Sequence, residues 1–168
     1  TDPTGDITEG QIWYNTNSDT FKSVLSLESF TSSSPLITAR GSAAGAGTQT
    51  AALFNGGSPD TALCENYNGT GWTSIANLNT ALQYAGGCGT ETSALIYGDY
   101  PEANTTEEFN GSAWSAQEGF STARRSGASF VLETAAVLAG GTTGPAVSTA
   151  TEEYNGESWT GGGALSQA

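Results

Sequence analysis

Short runs of apolar and small residues alternate with polar turns along most of this chain, and no window keeps apolar residues at the spacing of a helix. The run at 50–55 is followed by a glycine doublet, and Asn68-Gly69 separates a run that ends at Tyr67 from one that starts at Trp72. Asn-Gly is a strong hairpin signal, because both residues tolerate positive φ. The pattern therefore predicts an all-β chain built from short antiparallel strands.

This strand pattern recurs three times, which indicates tandem repeats. A first landmark, Thr-Gln-Thr-Ala-Ala-Leu in its first copy, occupies 48–53, 90–95 and 132–137. A second, an aromatic residue followed by Asn-Gly and closed by Trp, occupies 67–72, 109–114 and 154–159. A third landmark, Leu-Ile-Thr-Ala-Arg in its first copy, begins at 36, 78 and 120. It begins once more at Leu165. The copies are 42 residues apart, except that three extra residues enter the last repeat around 142–148, as loops readily allow.

Each repeat predicts four strands: one rich in small residues at 41–47, one at 50–55, one ending at Tyr67 and one beginning at Trp72. Four strands in about 42 residues is the size of a propeller blade, and such sheets stack face to face. The expected organisation is an N-terminal β-hairpin and linker segment at 1–35, with the hairpin near 11–24, and three four-stranded antiparallel blades at 36–77, 78–119 and 120–164, followed by the start of a fourth.

Three blades make an incomplete ring, because propellers typically have about 4–8 blades. Uncovered terminal sheets would leave apolar faces in water. We expect the ring to be completed by further blades of the same polypeptide, which is the favoured interpretation, or by another copy or another protein. The repeated tryptophans, Trp72, Trp114 and Trp159, are expected to be buried at equivalent places between blades.

These residues resemble kelch repeats over roughly 36–168. A kelch blade carries a glycine doublet after a short hydrophobic strand, then a Tyr, then a Trp. The doublets here are at 56–57 and 140–141, with Gly98-Asp99 in the middle repeat, and the aromatic pairs are Tyr67/Trp72, Phe109/Trp114 and Tyr154/Trp159. The blades are shorter than usual and the paired aromatics are only five positions apart. The resemblance implies a β-propeller fold, and propellers serve many unrelated functions.

A narrower resemblance concerns two separate segments. The phrasing of 151–160, Thr-Glu-Glu-Tyr-Asn-Gly-x-x-Trp-Thr, looks like kelch-type repeats in virion proteins of marine tailed phages, cyanophages especially. The segment Gly-Gln-Ile-Trp-Tyr-Asn at 10–15 looks like a hairpin common in phage tail-fibre proteins. The resemblance implies a non-enzymatic structural or host-contacting virion protein, such as a tail fibre or decoration protein. Its partners would be other virion proteins, further blades, or a host-surface glycan or protein. The alternative is a carbohydrate-binding, lectin-like propeller outside a virus.

Composition argues against several classes of function. The net charge is −13, from 17 acidic and 4 basic residues, whereas nucleic acid and anionic membrane surfaces require clustered Lys and Arg. Histidine is absent, which excludes a His base, a His metal ligand and a galactose-oxidase-like copper site. We expect no catalytic, cofactor or metal site, and the sequence assigns no ligand-binding residues. Methionine is absent even at position 1, as expected of a processed product or a part of a longer protein.

Carboxylates recur at one repeat position. The pairs are Glu107-Glu108 and Glu152-Glu153, with Cys64-Glu65 in the first repeat. Two carboxylates that face each other can hydrolyse a glycosidic bond. Adjacent strand residues, however, point to opposite faces of a sheet, so we interpret these residues as architectural.

Two arginines, Arg40 and Arg124, share a position before the first strand of a repeat. We expect each to pair with a carboxylate of the same or the next blade; the alternative is a clamp for a ligand carboxylate. The two cysteines, Cys64 and Cys88, are either two buried apolar residues or one disulfide between neighbouring repeats.

Overall fold

The N-terminal hairpin is present. The computed structural model describes residues 12–23 and 33–167, and the chain divides into two compact units, the first ending at Ser32 and the second starting at Ser33. In the first unit, Ile12–Asn15 (β1) and Thr20–Ser23 (β2) pair antiparallel. The Asn15 side chain accepts hydrogen bonds from the amides of Asn17 and Ser18, at 2.9 and 3.1 Å, and so closes the turn.

The second unit contains three four-stranded antiparallel sheets, each with its strands in chain order. The first sheet consists of Ala44–Thr48 (β3), Ala51–Asn55 (β4), Cys64–Tyr67 (β5) and Trp72–Ser74 (β6). The second consists of Gly86–Gly89 (β7), Ala94–Asp99 (β8), Ala103–Phe109 (β9) and Trp114–Ala116 (β10). The third consists of Ala128–Leu132 (β11), Ala135–Ala139 (β12), Thr151–Tyr154 (β13) and Trp159–Gly161 (β14). The predicted all-β class and the four strands of each repeat are confirmed, and the described residues contain no helix.

The turn between the third and fourth strands is a four-residue loop. Tyr67 pairs with Trp72 across it, and the Asn68 side-chain oxygen accepts the amides of Thr70 and Gly71, both at 3.0 Å. Gly69 has a φ of 91°. The second and third sheets close their loops in the same way, with Asn110 and Asn155. The predicted reason for Asn is thus wrong: it caps the loop with its side chain, and only the glycine takes positive φ.

Residues 36–40, 78–82 and 120–124, here called the connecting segments, lead into the first strand of each sheet. The second segment is bonded to the loop between β4 and β5 of the first sheet: the Leu78 amide donates to the Ala62 carbonyl at 3.0 Å, and the Gly57 amide donates to the Leu82 carbonyl at 2.7 Å. A Cβ at Gly98 would lie 2.7 Å from the Arg124 carbonyl oxygen of the third segment. The glycine positions therefore let each following segment run against the end of a second strand.

The sheets stack through alternate faces of their strands. Between the first and second sheets lie Ala44, Leu53 and Cys64 from one side and Ala94, Ile96, Phe109 and Trp114 from the other, with Leu78 and Leu82. Between the second and third lie Cys88, Leu95 and Tyr97 against Ala136, Leu138, Tyr154 and the half-buried Trp159, with Phe120. The first strands approach most closely, since a Cβ at Gly87 would lie 2.8 Å from the Gly45 carbonyl oxygen. No closed ring is seen among the residues that the structure describes.

The tryptophans do not share one environment. Trp114 is buried between the first two sheets, and Trp159 packs edge-on against Tyr97 of the preceding sheet, with ring centroids 4.9 Å apart. Trp72 is half-buried and packs on Phe54 and Tyr67 of its own sheet. The expectation of burial is therefore confirmed for Trp114 alone, since Trp159 is only half-buried between the second and third sheets. It is wrong for Trp72, because no four-stranded sheet precedes it among the described strands.

Both cysteines are free and buried. Burial raises the pKa of the Cys64 thiol to about 11 and that of the Cys88 thiol to about 12. They are buried thiols in two different core clusters, which confirms the first of the two alternatives and leaves them protonated at neutral pH.

Replacing Trp114 with Ala should lower the free energy of unfolding by about 3–5 kcal/mol, because the lost ring leaves a cavity between two sheets. Trp72→Ala is the matched control at the equivalent position, and it should cost less because the Trp72 ring is partly exposed. Urea unfolding followed by circular dichroism at low protein concentration measures both losses. Equal losses would contradict the assignment of Trp114 to an inter-sheet core.

Candidate functional site

The recurring carboxylates lie on the third strand of each sheet. Glu65, Glu107 and Glu152 are all buried, whereas Glu153 points to the opposite face and is exposed. The third strands also correct the alignment of the first repeat: Glu65, and not Cys64, stands where Glu107 stands in the second. The predicted separation of adjacent carboxylates onto opposite faces is confirmed.

Each buried carboxylate accepts backbone amides from the connecting segment of its own sheet. The donors are Ile37 and Thr38 to Glu65 at 2.8 and 3.2 Å, Asn79 and Thr80 to Glu107, both at 2.8 Å, and Ser121 to Glu152 at 2.7 Å. Since hydrogen bonds to an ionised group are roughly twice as strong as neutral ones, these contacts fix the connecting segments. The same device therefore recurs in all three repeats.

In the first and third sheets an arginine completes the contact. Arg40 pairs with Glu65, and Arg124 pairs with Glu152 at 2.7 Å. All four side chains are almost completely buried. The predicted pairing of the two arginines with carboxylates is confirmed, and each partner belongs to the same repeat as its arginine.

The two arginines are not equally well satisfied. Arg40 donates from Nε to the Gly56 carbonyl at 2.8 Å and from Nη2 to the Phe54 carbonyl at 3.0 Å. Arg124 donates from Nη1 only, and its buried Nε and Nη2 have no hydrogen-bond partner among the described residues. The guanidinium also stacks on Phe120, 5.2 Å from the ring centroid. The third sheet therefore holds its guanidinium with fewer polar contacts than the first.

The middle sheet replaces the arginine with an amide. Leu82 stands at the repeat position of Arg40 and Arg124 and is buried. The Asn79 side chain donates from Nδ2 to Glu107 at 2.9 Å and to the Trp114 carbonyl at 3.1 Å. Glu107 thus receives three N–H donors and no cation. Two different sets of donors perform the same task.

Electrostatics favour the ionised form at two of these sites. Burial raises the pKa of Glu65, but the hydrogen bonds from Arg40 and from the Ile37 and Thr38 amides outweigh it, so the pKa lies below its ordinary value. Burial likewise raises the pKa of Glu152, and the Ser121 amide and Arg124 outweigh it. Because these oxygens already accept internal donors and are shielded from solvent, the carboxylates hold the chain in place and are not positioned to act on a substrate.

An exposed pair of tyrosines was not anticipated from the sequence. Tyr84 and Tyr100 are 42% and 46% exposed, with ring centroids 5.9 Å apart, and the Arg125 guanidinium lies 4.9 Å from the Tyr100 centroid. Tyr84 has a φ of 58°, and the equivalent positions, Ser42 and Ser126, also have positive φ. A bulky residue is rare in this conformation. The sequence did contain a signal: Tyr84 occupies a repeat position at which the other two repeats have serine.

Within the described part of the chain, no group of three or more His, Cys, Asp or Glu side chains could hold a metal ion. Among the same residues, no helix has the length and apolar character needed to span a bilayer. The sequence matches no protein-family model and no curated protein.

Replacing Arg124 with Leu should cost about 3–5 kcal/mol of unfolding free energy, because Glu152 is left buried without its cation. The double variant Ser121→Asn/Arg124→Leu reproduces the middle repeat, in which Asn79 and Leu82 occupy these positions, and should recover most of that loss. Urea unfolding of the three proteins measures the effect.

Arg125→Leu is the matched control for this test. Arg125 pairs with Glu102 and both side chains are 23% exposed, so its loss should cost no more than about 1 kcal/mol. A double variant as unstable as Arg124→Leu alone would show that the asparagine does not substitute for the arginine.

Stability should decline as the pH falls below the ordinary glutamate value of 4.5. Because Glu65 and Glu152 have lowered pKa values in the folded state, the unfolded chain binds protons first, and their contribution is present above 4.5 and lost below it. The stability difference between wild type and Glu65→Gln should therefore shrink with falling pH. Glu153→Gln changes an exposed side chain on the third strand of the third sheet and is the control, which should cost much less stability at neutral pH than Glu65→Gln. A constant difference for Glu65→Gln from neutral to acid pH would contradict the assigned role.

Proposed function

We propose that this chain is a kelch-like β-propeller module of a virion, with a structural or host-contacting role and no enzymatic activity. The kelch-like assignment is supported by the physical uses of the repeated residues. Glycines lie where a connecting segment passes closely, as at Gly98, and the aromatic pairs of the second and third sheets pack against the preceding sheet.

The observation that carries the non-enzymatic role is the use made of the repeated polar groups. Glu65, Glu107 and Glu152 are buried and accept hydrogen bonds from their own connecting segments. A hydrolase would need at least one such carboxylate open to substrate and a second one within reach. These buried contacts give the repeat a structural use for its carboxylates. The net charge of the whole chain, −13, favours protein or glycan partners over nucleic acid.

The virion role is supported by the resemblance of two separate segments to phage proteins. The first is the hairpin of β1 and β2, and the second is the phrasing of the third repeat at 151–160. A tail fibre or decoration protein needs stable, non-catalytic surfaces that contact other virion proteins or the host. Stacked sheets joined by buried polar contacts are suited to that role.

The exposed tyrosines favour a second candidate, a carbohydrate-binding propeller outside a virus. Aromatic rings in solvent can stack on the apolar face of a sugar. Tyr84 places a bulky ring at a positive-φ position where the other two repeats have serine, although bulky residues rarely adopt this conformation. Arg125 and Glu102 lie beside the pair and would supply polar contacts to hydroxyl groups.

The test is mass spectrometry of particles purified by density gradient from cultures that carry the gene. Under the virion proposal, peptides of this chain should sediment with the capsid proteins and should remain with them after a high-salt wash. Recovery only in the soluble fraction would contradict it. If soluble protein also binds a glycan array, and Tyr84→Ser, which restores the serine of the other two repeats, abolishes that binding without loss of stability, the second candidate is favoured.

A further inference from the structure

The outer face of the third sheet is apolar along β11 and β12 and continues with Thr151 and Glu153 on β13. Among the described residues, no further sheet covers it. Six residues of β11 and β12 share this face, here called the tail face: Ala128, Phe130, Leu132, Ala135, Val137 and Ala139. Phe130 and Leu132 are each 51% exposed. At the repeat position of Val137, Leu53 and Leu95 are completely buried against the next sheet. The tail face therefore has the residues of an inter-sheet face but no sheet on it.

The outer face of the first sheet corresponds to the face that, in the second and third sheets, packs against the preceding sheet. It carries Ala52, Phe54, Tyr67 and Trp72, here called the head face, together with the buried Glu65, and the Arg40 guanidinium lies 5.0 Å from the Phe54 ring centroid. Their equivalents in the second sheet, Ala94, Ile96, Phe109 and Trp114, are buried against the first sheet. Ala52 itself is only half-buried, whereas Ala94 and Ala136 are completely buried at the same repeat position. The head face therefore has the residues that cover a preceding sheet.

Both joints inside the chain follow one rule, in which a tail-type face meets a head-type face. The first sheet meets the second in this way, and the second meets the third. We propose that two copies of this chain associate head to tail, so that the first sheet of each copy covers the third sheet of the other. This contact continues an interface that already occurs twice in the chain, and it would bury all four open faces.

The number of sheets agrees with this arrangement. A head-to-tail contact is heterologous, so it must close on itself or grow into a filament. Two copies of the described part of the chain supply six four-stranded sheets, and propellers close with about 4–8, whereas three copies would exceed that range. The first sheet also brings its own connecting segment, which Glu65 already holds. Residues 165–167 are the equivalent segment after the third sheet, are exposed, and would be displaced by it.

The hydrogen bond of the tryptophan indole shows which contact the first sheet would gain from a second copy. In the third sheet, Trp159 Nε1 donates to the Thr106 hydroxyl of the preceding sheet at 3.2 Å. In the first sheet, Trp72 Nε1 donates instead to the Ser34 carbonyl at 3.2 Å. Thr151 stands at the repeat position of Thr106 and would offer the same hydroxyl to Trp72 of the second copy.

The experiment is light scattering after size exclusion over a range of protein concentrations. Wild type should reach twice the chain mass of 17.1 kDa and should dissociate on dilution. Phe130→Glu blocks the tail face and Ala52→Glu blocks the head face, so each variant alone should remain monomeric. Both positions are at least partly exposed in the single chain, so both variants should fold, which circular dichroism checks. Val147→Glu, at an exposed apolar residue in a loop, is the matched control and should keep the wild-type mass.

Mixing the two blocked variants tests the geometry directly. The free tail of Ala52→Glu can still receive the free head of Phe130→Glu, so the mixture should form a one-to-one pair that neither variant forms alone. A wild type that stays at the single-chain mass at every concentration would overturn the inference, and would leave the faces to further blades or another protein. The inference would also be overturned if each single variant still formed a dimer by itself, or if the mixture of the two variants stayed monomeric. The inference rests on the sheets alone, so its failure would leave the virion proposal untouched.

Discussion

A buried carboxylate that accepts amides from a connecting segment is the contact on which the rest of the second unit depends. The segment is also bonded to the preceding sheet, as Leu78 is to Ala62, so it joins two sheets through one stretch of chain. Without Glu107, the amides of Asn79 and Thr80 would lose the partner that ties the connecting segment to the third strand of its sheet. The position of the second sheet relative to the first therefore follows from polar contacts as well as from apolar packing.

The three repeats satisfy this requirement with different chemistry, and the differences have a physical logic. A buried carboxylate must be hydrogen-bonded, and neutral N–H donors can serve this purpose as well as a cation's N–H groups. Arg40 supplies them while its remaining N–H groups bind backbone carbonyls, whereas Asn79 supplies one and leaves room for Leu82 in the apolar core. Arg124 leaves two nitrogens without a partner among the residues that the structure describes. Tandem repeats can therefore diverge at this position while keeping the same backbone path.

The sequence predicted most of this fold because period and turn residues are local signals. The four strands of each repeat follow from spacing and turn residues, and the pairing of the two arginines with carboxylates follows from their charge and shared repeat position. The burial of Trp72 could not be predicted, because burial depends on what lies against a sheet and not on its own sequence. The loop cap by Asn68 and the positive φ of Tyr84 were missed for a related reason: both depend on three-dimensional backbone geometry that residue identity only permits.

Equivalent residues of different repeats can be alike in sequence and still differ in burial, because burial depends on what lies against each sheet. Leu95 and Val137 hold one repeat position, yet Leu95 is completely buried and Val137 is only half-buried. A capping repeat with a solvated outer face is expected to carry polar residues there. The tail-face positions of β11 and β12 are instead all apolar. The strand β12 thus has the composition of a strand inside a stack. The third sheet thus retains the residues of an inter-sheet face, and the first sheet carries a face of the matching kind, which is the basis of the proposed head-to-tail association.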